Sequence, residues 1–451
     1  ALYFGMPMAA KMQNSVFYPG QVPFFLFGFA TAAALFHGFH YWLAGWLTYL
    51  WLRSLRISRG ACLAGAVAYA LAGVMVSHMP FINHLSTLSL VPALFLFFRR
   101  PLWLGVTLAV AFCAGYPPFL VGAAALSWAV MAVLASAPGP WGSFGTGCAR
   151  GWLAAGLLAG ALAACQLIPG AELMVLSRRS GGMTLEETLR FGYSFRDLAQ
   201  WVSPLLVVGK RLDTAVEWWK CSYLGFAGFL AAAWGLWRLP GRRRAGLAAI
   251  LLGIFVVILG DAAALSRAVW EHFPPLRFVR YPGNLAYLAG PVAGLLVAAG
   301  ISRLPSSWRA GWTLALAGEL LVYAWGSAPL VPRPLFTNAG PLVRYLQENS
   351  GESRYLISPL ALESHSGSGV LDWKHRLYGM TNGPFRLRAA GNFGEPLVPR
   401  ENYEFMDFLY RQRSAESAAR LLPWVGTRFL LTRDRVRETP LLDYEGHILW
   451  H

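Results

Sequence analysis

HGFHYWLAGWLTYLWLR, residues 37–53, is apolar apart from His37, His40 and Thr48 and closes on Arg53. Arg56 and Arg59 follow at once, and a second apolar run then begins. A hydrocarbon core needs roughly 20 apolar residues per helix, so this stretch reads as a membrane span with a basic stop. The arrangement recurs along the chain. Arg99 and Arg100, then Arg150, then Arg238 with Arg242, Arg243 and Arg244, then Arg303 and Arg309 all fall in short gaps between apolar runs, with no acid among them. Short Arg-rich loops stay cytoplasmic during insertion. The pattern therefore predicts a polytopic helical bundle and its orientation together, with any chemistry on the opposite, outer side.

Composition agrees. The chain has 451 residues, is 56% hydrophobic and is only 13% charged, where a soluble domain carries about 25% charged residues. Its formal charge of +16 would fit nucleic acid if the basic residues formed one binding face. They are instead concentrated in the short gaps, while residues 330–451 are nearly balanced, so nucleic acid is excluded as a partner. The charge is a topology device that also suits anionic lipid heads. The five cysteines show no metal-ligand spacing, and the C-terminal part contains none. No charged segment followed by an apolar one precedes residue 24, so the N-terminus does not read as a signal peptide. The sequence is expected to begin after a first helix and part of its loop.

About ten spans are expected: 24–52 (with 24–35 a shallow or re-entrant piece), 61–78, 85–98, 102–116, 119–134, 152–173, 223–237, 247–265, 285–301 and 312–329. The transmembrane part is residues 1–329, with exterior loops at 1–23, 174–221 and 266–283. Beyond residue 330 hydrophobic runs shorten and charges mix. Alternation predicts strands over 353–358 and 427–432, and helices over 341–349 and 403–413, giving a small exoplasmic α/β or α+β domain.

Three clusters carry candidate chemistry. Gln166, Pro169 and Glu172 close the 152–173 span on the exterior side, followed by Ser177, Arg178 and Arg179. Pro169 removes a helical hydrogen bond and is expected to kink the span, bringing Gln166 and Glu172 towards one place. Glu172 is read either as a site carboxylate or as an interfacial group paired with Arg178 or Arg179. PPLRFVRYP, residues 274–282, lies where the chain re-enters the membrane. Arg277 and Arg280 offer the fork of donors that suits phosphate, with Tyr281 at headgroup level. Ordinary interfacial anchoring is the competing reading. The 174–221 loop holds Asp197, Trp218, Trp219 and Lys220. The two tryptophans suit sugar stacking or an interfacial belt. Glu319, in the middle of the last span, faces a cavity or bonds to a neighbouring helix. His37/His40 and His78/His84 lack further metal ligands nearby. No cofactor is required by any spacing, and a divalent metal is allowed by the chemistry but supported by no ligand set. P-loop, dinucleotide, GxSxG and HExxH motifs are missing.

In order, GMP (5–7) with Gln13 and FYP (17–19), YLWLR (49–53), GYPP (115–118), QLIP (166–169) with Glu172 and Ser177, YLG (223–225), RYP (280–282) and GTRFLLT (426–432) resemble the YfhO-type bacterial integral membrane proteins, which look like members of the GT-C glycosyltransferase superfamily. The resemblance spans nearly the whole chain. It implies transfer of a sugar from a polyprenyl-phosphate donor on the outer face of the cytoplasmic membrane. Two departures stand out. Tyr116 and Pro118 replace the His and Gln of the family's turn, and residues 1–23 contain no Asp or Glu where such enzymes place a catalytic Asp in their first exterior loop.

In the expected reaction a carboxylate takes the acceptor hydroxyl's proton, with Glu172 and Asp197 as candidates. Cations hold the leaving phosphate: Arg277 and Arg280 with Lys220, alongside Gln166 and Tyr281. Trp218 and Trp219 would bind sugar. The alternatives are a non-catalytic membrane subunit that scaffolds or anchors a larger protein complex, which the acid-free first loop favours, and a transporter or flippase of lipid-linked sugar.

Overall fold

In a computed structural model of the chain, the described residues are 7–136, 145–204, 218–327, 337–358, 377, 382–391, 397–412, 415–432, 442–444 and 447–450. Within these, only backbone is described at 218, 277, 278, 415, 416 and from 442 onwards.

Apolar runs become helices wherever the expected spans lie. A short helix at Val22–Leu26 is followed by α1 (Phe29–Ser54), which continues through the piece expected to be shallow. Then come α2 (Arg59–Ala70), α3 (Gly73–Ser77), α4 (Ile82–Leu96), α5 (Pro101–Cys113) and α6 (Pro117–Ala135). They are followed by α7 (Thr146–Leu162), α8 (Ala164–Leu176), α9 (Phe226–Trp237), α10 (Gly241–Ile258), α11 (Ala264–His272), α12 (Ala289–Ser302) and α13 (Ser306–Ser327). Among the described residues three helical stretches, 59–77, 117–135 and 282–302, are long and apolar enough to cross a membrane, or four if α7 and α8 form one bent span. The chain is a mainly helical membrane protein.

α7 and α8 meet at 82°, and the bend is at Ala163 rather than at Pro169, where the sequence predicts it. Pro169 sits inside α8. The break falls just before Gln166, whose buried amide is drawn to the N-terminal loop. That tertiary bond orients α8, and the proline ring is absorbed into the second limb.

α12 is the central helix, buried on nearly every side and packed against α2 and α9. Small residues allow this closeness, because in lipid helices associate through packing. A Cβ at Gly300 would overlap the Ala231 carbonyl oxygen, and one at Gly235 the Leu296 carbonyl oxygen, so α9 and α12 cross backbone to backbone. The arginine gaps also meet. Arg309 reaches Ser58 (3.5 Å) and the Ser302 carbonyl (3.0 Å), and Arg243 donates to the Leu134 carbonyl (3.0 Å).

Glu319 in α13 caps α9 from outside. Its carboxylate accepts the backbone N–H of Phe226 (2.6 Å) and Ala227 (3.1 Å) and the hydroxyl of Tyr223. The first N–H groups of a helix have no partner within it, and an anion there also meets the positive end of the helix dipole. Glu319→Ala should cost about 2 kcal/mol, read as a lowered thermal midpoint in detergent. An unchanged midpoint would show that water or another group satisfies these donors.

In the C-terminal region, α14 (Pro341–Asn349) and α15 (Arg400–Tyr410) flank a sheet of β1 (Arg354–Ile357), β2 (Thr427–Thr432), β3 (Leu442–Tyr444) and β4 (His447–Trp450), in the order β1-β2-β4-β3. β1 runs parallel to β2, and the other neighbours are antiparallel. Side chains alternate across a strand. Leu356 and Leu430 pack with Met406 and Leu409 of α15, while Tyr355, Phe429 and Leu431 pack with Leu342, Val343 and Leu346 of α14. The helices thus cover opposite faces of the sheet.

Candidate functional site

The N-terminal loop is pinned between two elements. Gln166 Nε2 donates to the Ala9 carbonyl (2.8 Å), and the Ser15 hydroxyl donates to the Ala114 carbonyl (2.7 Å). Gln166 therefore holds the loop. Its Oε1 is buried with no hydrogen-bond donor. Lys11 lies within this loop and is only 2% exposed. Burial disfavours its charged form and lowers its pKa from 10.5 to about 8.

The unfolded chain therefore binds the Lys11 proton more tightly than the folded one, and stability should rise with pH between about 8 and 10.5. Below that window both states are protonated and the burial penalty is constant. Lys11→Met should flatten the rise of the thermal midpoint over that range and raise the midpoint at pH 7. A variant with the wild-type slope would place the titration elsewhere.

The segment 184–201 after α8 is organised by two capping boxes, a device in which a Ser or Thr and an acid three residues on satisfy each other's backbone N–H. One joins Thr184 and Glu187, the other Ser194 and Asp197. Hydrogen bonds from the Thr184 backbone N–H and hydroxyl hold the exposed Glu187 carboxylate below its ordinary value. Asp197 is 7% exposed. It accepts from the backbone N–H of Ser194 (2.7 Å) and its hydroxyl (2.9 Å), and it pairs with Lys220 (3.3 Å). This arrangement fastens 194–201 to the segment entering α9. Asp197 and Lys220, expected in separate roles as base and phosphate cation, are thus each other's partners.

The chain next to Lys220 meets the re-entry segment. The Gly283 backbone N–H donates to the Phe191 carbonyl (3.2 Å). The rings of Phe191, Trp219 and Tyr281 form a triangle with centroids 5.5, 4.6 and 5.3 Å apart. The Arg280 guanidinium stands 5.5 Å from the Phe191 centroid and 5.1 Å from that of Tyr281. It is bonded to no carboxylate among the described residues. The side chains of Arg277 and Trp218 lie outside the described residues.

Behind this rim is a buried polar floor. Asn284 is 1% exposed, and its side-chain amide lies against His78 and Tyr116. His78, His84 and Tyr116 are beside it: His84 lies 5.2 Å from His78 and 3.9 Å from Tyr116, centroid to centroid. Among the described residues no group of His, Cys, Asp or Glu can hold a metal.

Of the expected residues, the structure brings Asp197, Trp219, Lys220, Arg280 and Tyr281 together. Glu172 is exposed on α8, and Arg178, offered as its partner, stacks on Tyr403 instead (4.2 Å). Arg179, the other partner offered for Glu172, forms no ion pair with it among the described residues. It is half-buried, and burial together with the nearby positive charge of Arg280 lowers its pKa. The sequence signal for it is no more than the second arginine of an Arg-Arg pair after an apolar run.

No protein-family model matches the chain, and neither does any characterised protein sequence. Among solved structures it is similar to the arabinofuranosyltransferase AftD from mycobacteria, with a TM-score of 0.47 and 16% identity over 89% of this chain and 29% of that one. It is also similar to the oligosaccharyltransferase of Archaeoglobus fulgidus, with a TM-score of 0.46 and 11% identity over 95% of this chain and 59% of that one. The chain therefore spans less than two-thirds of either. The YfhO-type resemblance rests on the short motifs alone.

Proposed function

We propose that the chain is a membrane glycosyltransferase that takes a sugar from a polyprenyl-phosphate donor at the outer face of the bacterial cytoplasmic membrane. The observation that carries this reading is Arg280. Its guanidinium rests on two aromatic rings just before Pro282, with no carboxylate bonded to it among the described residues. A cation seated on π-faces keeps its charge and donors for a ligand, and the rim location suits a lipid head. Arg277, three residues earlier, would share the grip, and Trp219 and Trp218 would face the sugar.

The acceptor hydroxyl would attack the anomeric carbon as the carbon–oxygen bond to phosphate breaks. The phosphate leaves with the bonding electrons and is stabilised by the arginines, while a carboxylate takes the hydroxyl proton. Glu172 is the exposed candidate, since Asp197 is engaged by Ser194 and Lys220. The bundle would have about ten spans, with the arginine gaps inside and the C-terminal region outside.

A second reading, a non-catalytic subunit within a larger complex, is favoured by one observation: residues 7–23 hold a buried lysine and no acid. A transporter needs charge along a path, and Glu319 is occupied by its cap.

Liposomes containing the full chain, a polyprenyl-phosphate sugar and a cell-envelope acceptor extract test the proposal. Release of polyprenyl phosphate with labelled acceptor is expected. No release with any donor, together with stoichiometric co-purification with one complex, would support the scaffold. Protease added to intact cells should cut within 330–451, and protection there would overturn the orientation.

A further inference from the structure

α7 crosses most of a membrane, and α8 turns sharply away from its end. α7 has 17 residues, a rise of about 25 Å against a hydrocarbon core of roughly 30 Å. It lies beside α5 in parallel register: a Cβ at Gly151 would press on the Pro101 ring, and one at Gly105 would overlap the Ala155 carbonyl oxygen. Arg99 and Arg100 before α5 and Arg150 in the first turns of α7 therefore mark one membrane face, and Leu162 arrives at the other. The 82° bend that follows lays α8 nearly in the membrane plane there.

The sides of α8 differ in kind. Gln166, Gly170 and Leu173, with Ser177 just beyond the helix, form one buried stripe. That stripe is covered by protein. Gln166 holds the Ala9 carbonyl (2.8 Å), a Cβ at Gly170 would strike the Met12 side chain, and Ser177 forms an antiparallel bridge with Pro399. Leu167, Ile168, Ala171, Met174 and Val175 share a face roughly 130° round the helix from the stripe. All five are exposed, Ile168 by 67% and Val175 by 72%. Cys165, Glu172 and Leu176 make the remaining flank, and Glu172 is the helix's one charged residue. A continuous apolar face of this kind is costly in water. A helix partner within lipid favours small residues at the contact, and only Ala171 is small here. Acyl chains accept large, branched side chains without such close approach.

We infer that α8 is an in-plane helix at the membrane surface remote from the arginine gaps, and that its exposed apolar face binds the acyl chains of the adjacent lipid leaflet. Residues 9–12 and the C-terminal region at Pro399 cover its protein side. Glu172 then stands on the flank, at headgroup level. The apolar residues that the sequence assigns to the end of the 152–173 span thus line the interface instead of crossing it. The inference rests on the geometry of α7 and α8 and holds whether or not the chain transfers sugar.

The test places the photo-crosslinking residue p-benzoylphenylalanine at Ile168, Val175 or Glu187, one at a time, in the full chain in liposomes of phosphatidylethanolamine and phosphatidylglycerol. Adducts are identified by mass, and fragmentation maps the acyl carbon attacked. Phospholipid adducts are expected at Ile168 and Val175, at similar carbons close to the glycerol, and none at Glu187. An upright α8 would set the first two positions about 10 Å apart in depth, so attack at well-separated carbons would overturn the in-plane placement. Adducts at both positions to a second copy of the chain would overturn lipid as the occupant. A variant pair that elutes as wild type and yields no lipid adduct would overturn the inference as a whole.

Discussion

Replacing Arg280 by alanine is expected to lower sugar transfer on the order of 100-fold while the protein elutes as a folded species in detergent. The size follows from what the side chain is placed to do. A leaving phosphate gains charge in the transition state, and a guanidinium already seated on Phe191 and Tyr281 meets that charge without rearranging. Little structure depends on it, because the triangle of Phe191, Trp219 and Tyr281 closes through ring contacts and the Gly283–Phe191 backbone bond. Arg280→Lys should retain part of the activity, since charge remains and the planar fork is lost. Transfer at the wild-type rate in Arg280→Ala, with donor saturating, would remove the phosphate grip from the account.

Gly300→Val should be the most damaging of the stability variants, costing about 3 kcal/mol or more. The position has no room to yield, because the added Cβ meets the Ala231 carbonyl, which is helix backbone rather than a movable side chain. Relief requires α9 and α12 to separate. That opens the contact between the bundle's central helix and the helix that Glu319 caps. Gly300→Ala should show the same effect at smaller size. The check is the detergent thermal midpoint together with the fraction of monodisperse protein; a midpoint equal to wild type would mean that the two helices do not cross at this residue.

The helices were legible because lipid forces long apolar runs on the sequence, and the arginine gaps mark their ends. The short aromatic and apolar runs at 353–358 and 427–432 likewise forecast β1 and β2, although both faces of that sheet are covered and burial along the strands does not alternate. Short β3 and β4 escaped notice, because strands of three and four residues leave too little periodicity to read. Where tertiary contacts decide, local rules failed. Pro169 suggested a kink that the Gln166 anchor moved to Ala163.

The site was legible as a list of residues and not as an arrangement. Asp197 and Lys220 are far enough apart in sequence that nothing local announces their pairing. Glu319 declared itself as an acid in a span, but its partner, the start of α9, lies on another helix. The contact of Ser180 with Arg400, more than two hundred residues away, was likewise invisible to local reading.

The central claim is that Arg280 and its aromatic seat bind the phosphate of a membrane lipid. Electron cryomicroscopy of the full chain in nanodiscs doped with polyprenyl phosphate tests it most directly. The account predicts phosphate density against the Arg280 guanidinium, with the isoprenoid tail running into lipid. Density for the lipid head at another place on the bundle, with the Arg280 side chain turned away from it, would contradict the claim.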